Sequence, residues 1–206
     1  MKIFVLGGTG MIGSRIVNEA LSRGHEVVIS SRTPDAVAAR EGVSVVYADL
    51  SEPASITAAA DAADVTIAAV APRGSGNGTA DFIAYGDTLI GALGQNRLVL
   101  VGGAGSLNFP DGNPVADVVP EAYRDEAQGM RIAYENIAAS DLNYTVMTPA
   151  ALIQPGERTG TFRLGERVLL TDDDGNSQIS AEDYAVALMD EVETPKHPRG
   201  IFHAAY

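Results

Sequence analysis

Three closely spaced glycines are the residues of this chain that most directly indicate chemistry. Gly8, Gly10 and Gly13 follow the apolar segment Lys2–Leu6 without a gap. Glycines at this spacing permit a tight turn, a close backbone approach to a pyrophosphate and tight packing of the following helix. The free N–H groups and the positive end of that helix would face an anion. The sequence therefore predicts a dinucleotide-binding site, to which we assign Gly7, Gly8, Thr9, Gly10, Met11, Ile12 and Gly13.

The end of the second predicted strand indicates which dinucleotide would bind. A site for NAD carries an acidic residue about 20 residues after the glycines, where it pairs with the ribose 2′-hydroxyl. This chain has Ser31, Arg32 and Thr33 there instead. Because a guanidinium beside hydroxyl groups suits a 2′-phosphate, we predict NADP(H) in preference to NAD(H). Arg32 is the expected main determinant, and the alternative is that it is a solvated loop residue.

Strand-like and helix-like segments alternate along most of the chain, which predicts one Rossmann-type α/β domain over residues 1–206. We expect a doubly wound parallel sheet with helices on both faces. The predicted strands are residues 2–6, 26–31, 43–47, 65–70, 97–101, 144–148 and 201–205, and the predicted helices start at Met11 and span 53–60, 80–93, 121–140 and 180–191.

The last part of the chain departs from this alternation. Residues 161–164 and 167–170 flank a Gly-Glu pair and predict a hairpin. We expect it to belong to a small substrate-covering segment, residues 150–178. Ser180 is expected to cap the last helix, with Asp183 completing a capping box.

Two loops at the carboxyl ends of predicted strands extend the expected cofactor site, because open α/β sheets bind ligands there. The first loop contributes Asp49 and Leu50. Asp49 could accept a hydrogen bond from the adenine amino group or act only as a helix-side cap. The second loop, residues 71–79, is rich in glycine and resembles a lid. Its first residues, Ala71 and Pro72, are expected near the cofactor phosphates and ribose.

A third loop, residues 102–107, supplies the one catalytic candidate. Its small residues, which include Gly102 and Gly103, leave room for a flat ring. Ser106 is a candidate for orienting nicotinamide or substrate. The alternative is that Ser106 is simply a turn hydroxyl.

Composition restricts the classes of function. Acidic residues outnumber basic ones by 27 to 14, for a net charge of −13, and no basic cluster is present, so we expect no nucleic-acid partner. The absence of cysteine excludes disulfides, thiol nucleophiles and Cys-based metal sites, and we predict no metal. The first residues form a predicted strand rather than a signal peptide, and no apolar run approaches membrane-spanning length. We therefore expect a cytoplasmic protein without a membrane partner, and the sequence leaves its oligomeric state open.

Six segments together carry a family resemblance: residues 2–13, 31–34, 101–107, 148–151, 155–160 and 179–185. They resemble the atypical short-chain dehydrogenase/reductases. Within that family the chain is similar to the small NAD(P)H-binding proteins known as NADH-flavin reductases, which are related to biliverdin reductase B and to NmrA-like proteins. The resemblance runs nearly end to end. It implies that Pro149, Ala150 and Ala151 lie beside nicotinamide and that the hairpin region covers the substrate.

One departure from the wider family limits the chemistry. Ordinary short-chain dehydrogenases place a lysine four residues after a tyrosine, where it lowers the tyrosine pKa so that the phenol exchanges a proton with an alcohol or carbonyl oxygen. The two lysines, Lys2 and Lys196, do not stand at that spacing from any tyrosine. Alcohol or sugar-nucleotide dehydrogenation is therefore disfavoured.

The leading hypothesis is NADPH-dependent hydride transfer to a small conjugated acceptor, such as FMN, FAD, a quinone or a tetrapyrrole. Such acceptors do not demand a strong internal acid. Tyr123, Arg124 and Arg131 could contact an anionic acceptor, although each could equally be an exposed helical residue. The alternative hypothesis is a non-catalytic NADP(H)-binding redox sensor of the NmrA-like type. An isomerase or epimerase that uses the cofactor transiently is a weaker possibility, because the lysine is absent.

Overall fold

The structure, a computed structural model, describes residues 1–72 and 75–206. In these residues the strands are β1 Lys2–Leu6, β2 Glu26–Ser31, β3 Val43–Tyr47, β4 Val65–Ala68, β5 Leu98–Val101, β6 Tyr144–Thr148, β7 Leu152–Gln154, β8 Arg163–Gly165, β9 Gln178–Ser180 and β10 Ile201–Ala205. The α-helices are α1 Met11–Ser22, α2 Pro53–Ala60, α3 Gly78–Leu93, α4 Glu121–Ala139 and α5 Ala181–Glu193. Short 3₁₀ turns span Pro34–Ala36, Ala104–Ser106 and Val115–Asp117.

The main sheet has eight strands in the order β3-β2-β1-β4-β5-β6-β10-β8. Its strands pair in parallel except β8, which runs antiparallel to β10. The predicted Rossmann-type doubly wound sheet is confirmed. The strand order reverses between β1 and β4, and the crevice outside the carboxyl ends of strands at such a reversal is where this architecture binds ligands.

Alternating side chains of the central strands supply the two halves of the core. On β1, Phe4 and Leu6 face the layer that contains α2, α3 and α4, whereas Ile3 and Val5 face the layer of α1 and α5. All four side chains are buried. This double burial explains why the strand sequence is continuously apolar rather than alternating.

Helix α5 is fixed to the sheet by one buried polar contact. Tyr184 is fully buried, and its hydroxyl donates a 2.6 Å hydrogen bond to the carbonyl oxygen of Met147. Burial raises the pKa of this phenol well above its ordinary value. Tyr184 is therefore a structural donor in the core rather than a proton-exchanging group.

The predicted hairpin between residues 161–164 and 167–170 is wrong. Arg163–Gly165 forms β8, but its partner is β10, with Ala204 opposite Leu164. The chain after β8 instead turns around His203 on β10. The sequence signal, two short apolar runs about a glycine, could not distinguish a local partner from a strand that lies almost 40 residues away.

The segment around residues 150–178 contains two strands that the sequence did not predict. Strands β7 and β9 pair in parallel, with Ile153 opposite Ile179. The predicted cap of the last helix is confirmed, since the Ser180 hydroxyl accepts a 2.9 Å hydrogen bond from the Asp183 N–H. The second hydrogen bond of the predicted capping box, from the Ser180 N–H to the Asp183 carboxylate, does not form. The Ser180 N–H donates to the Tyr206 hydroxyl, and the short Asp183 carboxylate accepts from Thr159, Gly160 and Tyr206.

Several predicted boundaries also shift by one or two residues. Strand β4 ends at Ala68 rather than at residue 70, and α3 starts at Gly78 rather than at residue 80. The start of α3 is set by Asn77, whose side chain accepts a 3.0 Å hydrogen bond from the Ala80 N–H. Within residues 1–72 and 75–206, no helix combines the length and apolar character needed to cross a membrane.

His203 ties the segment after β8 to the sheet. Its ring is fully buried, and Nε2 accepts a 2.9 Å hydrogen bond from the Leu170 N–H. The Nδ1 atom lies 3.0 Å from the carbonyl oxygen of Glu166 and therefore carries the proton. Burial lowers the pKa of His203, and the nearby Arg163 acts in the same direction. The neutral imidazole is the form that the fold requires.

Acidification is expected to destabilise the protein in a pH range set by His203. Its pKa is lower in the folded state than in the unfolded state, where the ordinary value is 6.5, so its contribution to stability is complete above that value and declines as pH falls below it. The pKa of Glu19 lies below 4.5, chiefly through its hydrogen bond with Arg158, so this carboxylate acts only at lower pH. Denaturant unfolding at a series of pH values should show the free energy of unfolding falling below pH 6.5, before Glu19 becomes protonated. His203→Gln keeps an acceptor without titrating and should flatten the dependence; an unchanged slope would contradict the assignment.

Candidate cofactor and acceptor site

The turn between β1 and α1 is made by Gly7. Its φ is +88°, and a Cβ atom there would lie 2.5 Å from the carbonyl oxygen of Ala69. The Gly7 N–H donates a 3.0 Å hydrogen bond to the Ser30 hydroxyl, and its carbonyl accepts a 3.1 Å bond from the Gly10 N–H. The turn therefore joins the ends of β1, β2 and β4 at the point where the strand order reverses.

The other glycines of the turn divide into two kinds. A Cβ atom on Gly13 would lie 2.1 Å from the Gly7 carbonyl oxygen, and one on Gly8 would lie 2.6 Å from a methyl group of Ile29. By contrast, a Cβ atom on Gly10 would meet only the Gly7 oxygen, at 3.3 Å. Packing within the protein therefore requires Gly8 and Gly13, whereas the space beside Gly10 is open.

This open side fits the diphosphate of a dinucleotide. Gly10 is the N-cap of α1 and has extended backbone, and no side chain caps the helix. The first N–H groups of an α-helix have no partner within the helix, and they attract anions together with the helix dipole. A cradle bare of side chains at a helix N-terminus is thus suited to a phosphate group that approaches the backbone.

A first cavity of about 680 Å³ lies outside the carboxyl ends of β1, β2, β3 and β4. The predicted cofactor residues that line it are Gly7, Thr9, Ser31, Arg32, Thr33, Asp49, Leu50, Ala71 and Pro72. Ser30, Ser51, Val70 and Asp81 line it as well and were not predicted. Ser51 lies in a loop and Asp81 in α3, and neither belongs to a recognisable sequence motif. Their position at the cavity therefore follows only from the folded structure.

Arg32 and Asp49 contribute opposite charges to the first cavity. Arg32 is exposed and makes no ion pair within 4 Å among the described residues. The Asp49 carboxylate accepts hydrogen bonds from the N–H and hydroxyl of Ser51, at 2.8 and 2.7 Å. These bonds lower the pKa of Asp49, and Arg32 adds a Coulombic contribution. Asp49 therefore closes a local turn before α2, and its contact with adenine stays a prediction.

A second cavity, of about 490 Å³, adjoins the first. Val70 and Ala71 line both cavities. The predicted residues that line the second cavity are Ile12, Ala71, Gly102, Gly103, Pro149, Ala150 and Ala151. Its remaining described lining is mostly apolar and comes from Ala69, Val70, Phe82, Val101, Ala104, Gly105, Val119, Pro120, Tyr123, Glu126, Ala127, Met130 and Ile153. Phe82 and Met130 were not predicted because their helical spacing is also that of core residues.

Helix α4 positions one wall of the second cavity. Gly105 approaches Ala127 so closely that a Cβ atom would lie 2.8 Å from the Ala127 Cβ. The Arg131 guanidinium lies 3.4 Å from the Gly105 carbonyl oxygen, 3.3 Å from that of Leu107 and 3.0 Å from the side-chain oxygen of Asn108. Arg131 thus holds this loop.

The three residues considered for an anionic acceptor separate in the structure. Arg131 is engaged with the loop that follows β5. Arg124 is exposed and lies outside the lining of the second cavity, whereas Tyr123 lines that cavity with 63% of its surface exposed.

Ser106 does not reach either cavity. Its side chain is fully buried, and its hydroxyl has no hydrogen-bond partner among the described residues. Its neighbours Ala104 and Gly105 line the second cavity instead. No contact with either cavity supports a role for Ser106 in orienting nicotinamide or substrate, and that role stays a prediction.

The remaining predicted cofactor residues lie around the turn, and two residues of the predicted lid lie outside the described part of the chain. Gly8 and Gly13 are buried beneath it, and Gly10 and Met11 are exposed at the start of α1. Residues 73 and 74 of the predicted lid fall outside the described residues. Over the rest of the chain, no group of three or more His, Asp or Glu side chains could hold a metal ion.

Comparison with known proteins identifies the family. A model of the NAD(P)H-binding family matches residues 7–195. The chain belongs to this NAD(P)H-binding family. Its fold is of the oxidoreductase type, and the resemblance to the atypical short-chain dehydrogenase/reductases is confirmed.

Solved structures similar to this NAD(P)H-binding protein carry different names. It is 43% identical to a protein of Burkholderia pseudomallei named "putative exported protein", with a TM-score of 0.88 and full coverage of both chains. It is 36% identical to a "putative epimerase" of Bacteroides thetaiotaomicron, with a TM-score of 0.89 and coverage of 100% of this chain and 96% of that one. It is 29% identical to a "putative NADH-flavin reductase" of Streptococcus pneumoniae, with a TM-score of 0.88 and coverage of 100% and 99%.

Two glycine substitutions should separate folding from cofactor binding. Gly13→Ala forces a Cβ atom against the Gly7 carbonyl and should lower the free energy of unfolding by roughly 1–3 kcal/mol. Gly10→Ala should change stability by less than about 1 kcal/mol. Its methyl group would occupy the cradle, so NADPH binding should weaken by about tenfold. Thermal unfolding and calorimetric titration measure the two effects, and unaltered NADPH affinity of the folded Gly10→Ala variant would contradict the phosphate position.

Proposed function

We propose that the protein is an NADPH-dependent reductase that transfers hydride to a flavin or a similar conjugated acceptor. The observation that carries this proposal is the junction of the two cavities at Val70 and Ala71. A dinucleotide whose diphosphate lies at Gly10 and whose adenosine end lies near Arg32 would extend its nicotinamide into the second cavity. That cavity is mostly apolar, and its volume of about 490 Å³ is within the range of small-molecule binding sites.

The choice of NADPH rests on the polar end of the first cavity. Arg32 lines it between Ser31 and Thr33, and no described residue within 4 Å neutralises its guanidinium by an ion pair. A 2′-phosphate would give this guanidinium a charge-assisted partner. NADH offers only a hydroxyl there.

The lining of the second cavity supports a conjugated acceptor over an alcohol or ketone. When bound, NADPH supplies hydride, and uptake of one proton from solvent by the acceptor balances the reaction as NADP⁺ plus reduced acceptor. Among the described lining residues only Tyr123 and Glu126 are ionisable, and no lysine stands four residues after Tyr123. The chain's own part is to hold the two rings together and exclude water, using walls such as Phe82 and Ile153.

Replacement of Arg32 tests the cofactor assignment. Arg32→Ala should weaken NADPH binding by roughly 1.5–3 kcal/mol, because a charged hydrogen-bond partner is lost, and should leave NADH binding nearly unchanged. Arg40→Ala is the matched control, since Arg40 is also exposed but bonds to Asn18 outside the cavity. Fluorescence titration with both dinucleotides measures the effect. Equal losses for NADPH and NADH would refute the role of Arg32.

Acceptor-dependent oxidation of NADPH tests the reaction itself. Purified protein should oxidise NADPH, followed at the nicotinamide absorbance, when a flavin, quinone or linear tetrapyrrole is added under anaerobic conditions. Binding of NADPH without turnover of any acceptor would favour a redox sensor that acts through a protein partner. Release of an epimerised product without net oxidation would favour transient use of the cofactor.

A further inference from the structure

Among the described lining residues, positive charge is unevenly distributed between the two ends of the site. The first cavity contains Arg32. The described lining of the second cavity contains no Lys, Arg or His, and its ionisable members are Tyr123 and Glu126. The cofactor end therefore supplies a cation for a phosphate, and the described acceptor end does not.

Two described arginines near the loop that follows β5, Arg131 and Arg167, have contacts outside the second cavity. Arg131 donates to carbonyl oxygens of the loop that follows β5, and its Nε lies 3.2 Å from the Glu135 carboxylate. The Arg167 guanidinium stacks over the Tyr134 ring at 5.3 Å from its centroid. An anionic acceptor that relied on Arg131 would have to displace the contacts that hold the cavity wall.

The cost of burying an anion decides which acceptors the second cavity can favour. A phosphate or carboxylate that leaves water for apolar surroundings loses its hydration, and a cation or several donors must compensate it. Walls such as Phe82, Val119, Met130 and Ile153 provide no such partner, and the Glu126 carboxylate adds no positive charge. An uncharged ring loses little hydration and gains the burial of its apolar surface.

From this distribution, and resting on the proposed function, we propose that the acceptor is an uncharged conjugated ring. A quinone or a flavin without phosphate has the required chemistry. FMN, FAD and tetrapyrroles with carboxylate side chains are disfavoured acceptors. The predicted nicotinamide-side residues Pro149, Ala150 and Ala151 line the same cavity, so cofactor and acceptor must share about 490 Å³, which also favours a compact ring.

Riboflavin and FMN provide a matched pair of acceptors, because they share one isoalloxazine ring and differ by a phosphate. With the complete protein and saturating NADPH under anaerobic conditions, kcat/KM for riboflavin should exceed that for FMN by about tenfold or more. A naphthoquinone and its sulfonate should show the same order. The ratio should persist at high salt, because a local desolvation cost is screened much less than a long-range charge effect.

A charge substitution at the cavity sharpens the test. Glu126→Gln should raise kcat/KM for FMN more than that for riboflavin, whereas Glu121→Gln, on the exposed first turn of α4 outside the lining, should leave the ratio unchanged. Equal kcat/KM values for riboflavin and FMN would overturn this inference and leave the proposed function standing. Preferred use of FMN that is lost in Arg73→Gln would also overturn it, since a cation would then serve the acceptor. Absence of turnover with every acceptor would overturn the proposed function and this inference with it.

Discussion

The close approach of α1 to the end of β1 is the constraint on which the site depends. A side chain on Gly13 would collide with the Gly7 carbonyl, and one on Gly7 would collide with Ala69 at the end of β4. Only glycine permits the helix to begin this near the reversal in strand order. Because the helix begins there, Thr9 reaches the first cavity and Ile12 the second. The position of one backbone turn thus sets the position of both cavities.

The two cavities have different chemistry because different elements build them. The first is bounded by strand ends and the loops after β2 and β3, which carry Arg32 and Asp49. The second lies beneath α4, whose Met130 and Ala127 form an apolar wall against the loop that follows β5. Arg131 directs its guanidinium toward that loop rather than into the cavity, so a cation on the same helix becomes part of the wall. Polarity at one end and apolar character at the other suit the proposed pair of a dinucleotide and an uncharged ring acceptor.

Local sequence was informative where the interactions themselves are local. The β1–α1 turn, the strands of the parallel sheet and the Ser180 cap were predictable, since each depends on residues a few positions apart. The predicted hairpin is wrong because β8 pairs with β10, which is distant along the chain. The Asp183 carboxylate does not bond to the Ser180 N–H, since it accepts hydrogen bonds from Thr159, Gly160 and Tyr206. Ser106 is of a residue type that can act in catalysis, but its side chain is completely buried. It follows Gly105, which packs closely against Ala127 of α4.

The sequence by itself determined the Rossmann-type fold, the glycine cradle, the guanidinium at residue 32 and the absence of a tyrosine–lysine pair. Each follows from residue types at short spacing. Only the tertiary structure decided that Gly7 makes the turn, that a Cβ atom would be least crowded at Gly10 among the glycines of this turn, and that Phe82, Met130 and Ile153 meet around one cavity. These facts depend on contacts between α3, α4, β7 and the sheet, which are distant along the chain. Apolar residues occur on helix sides that face the core and on sides that face an apolar cavity. Packing therefore decides which of these a given side faces.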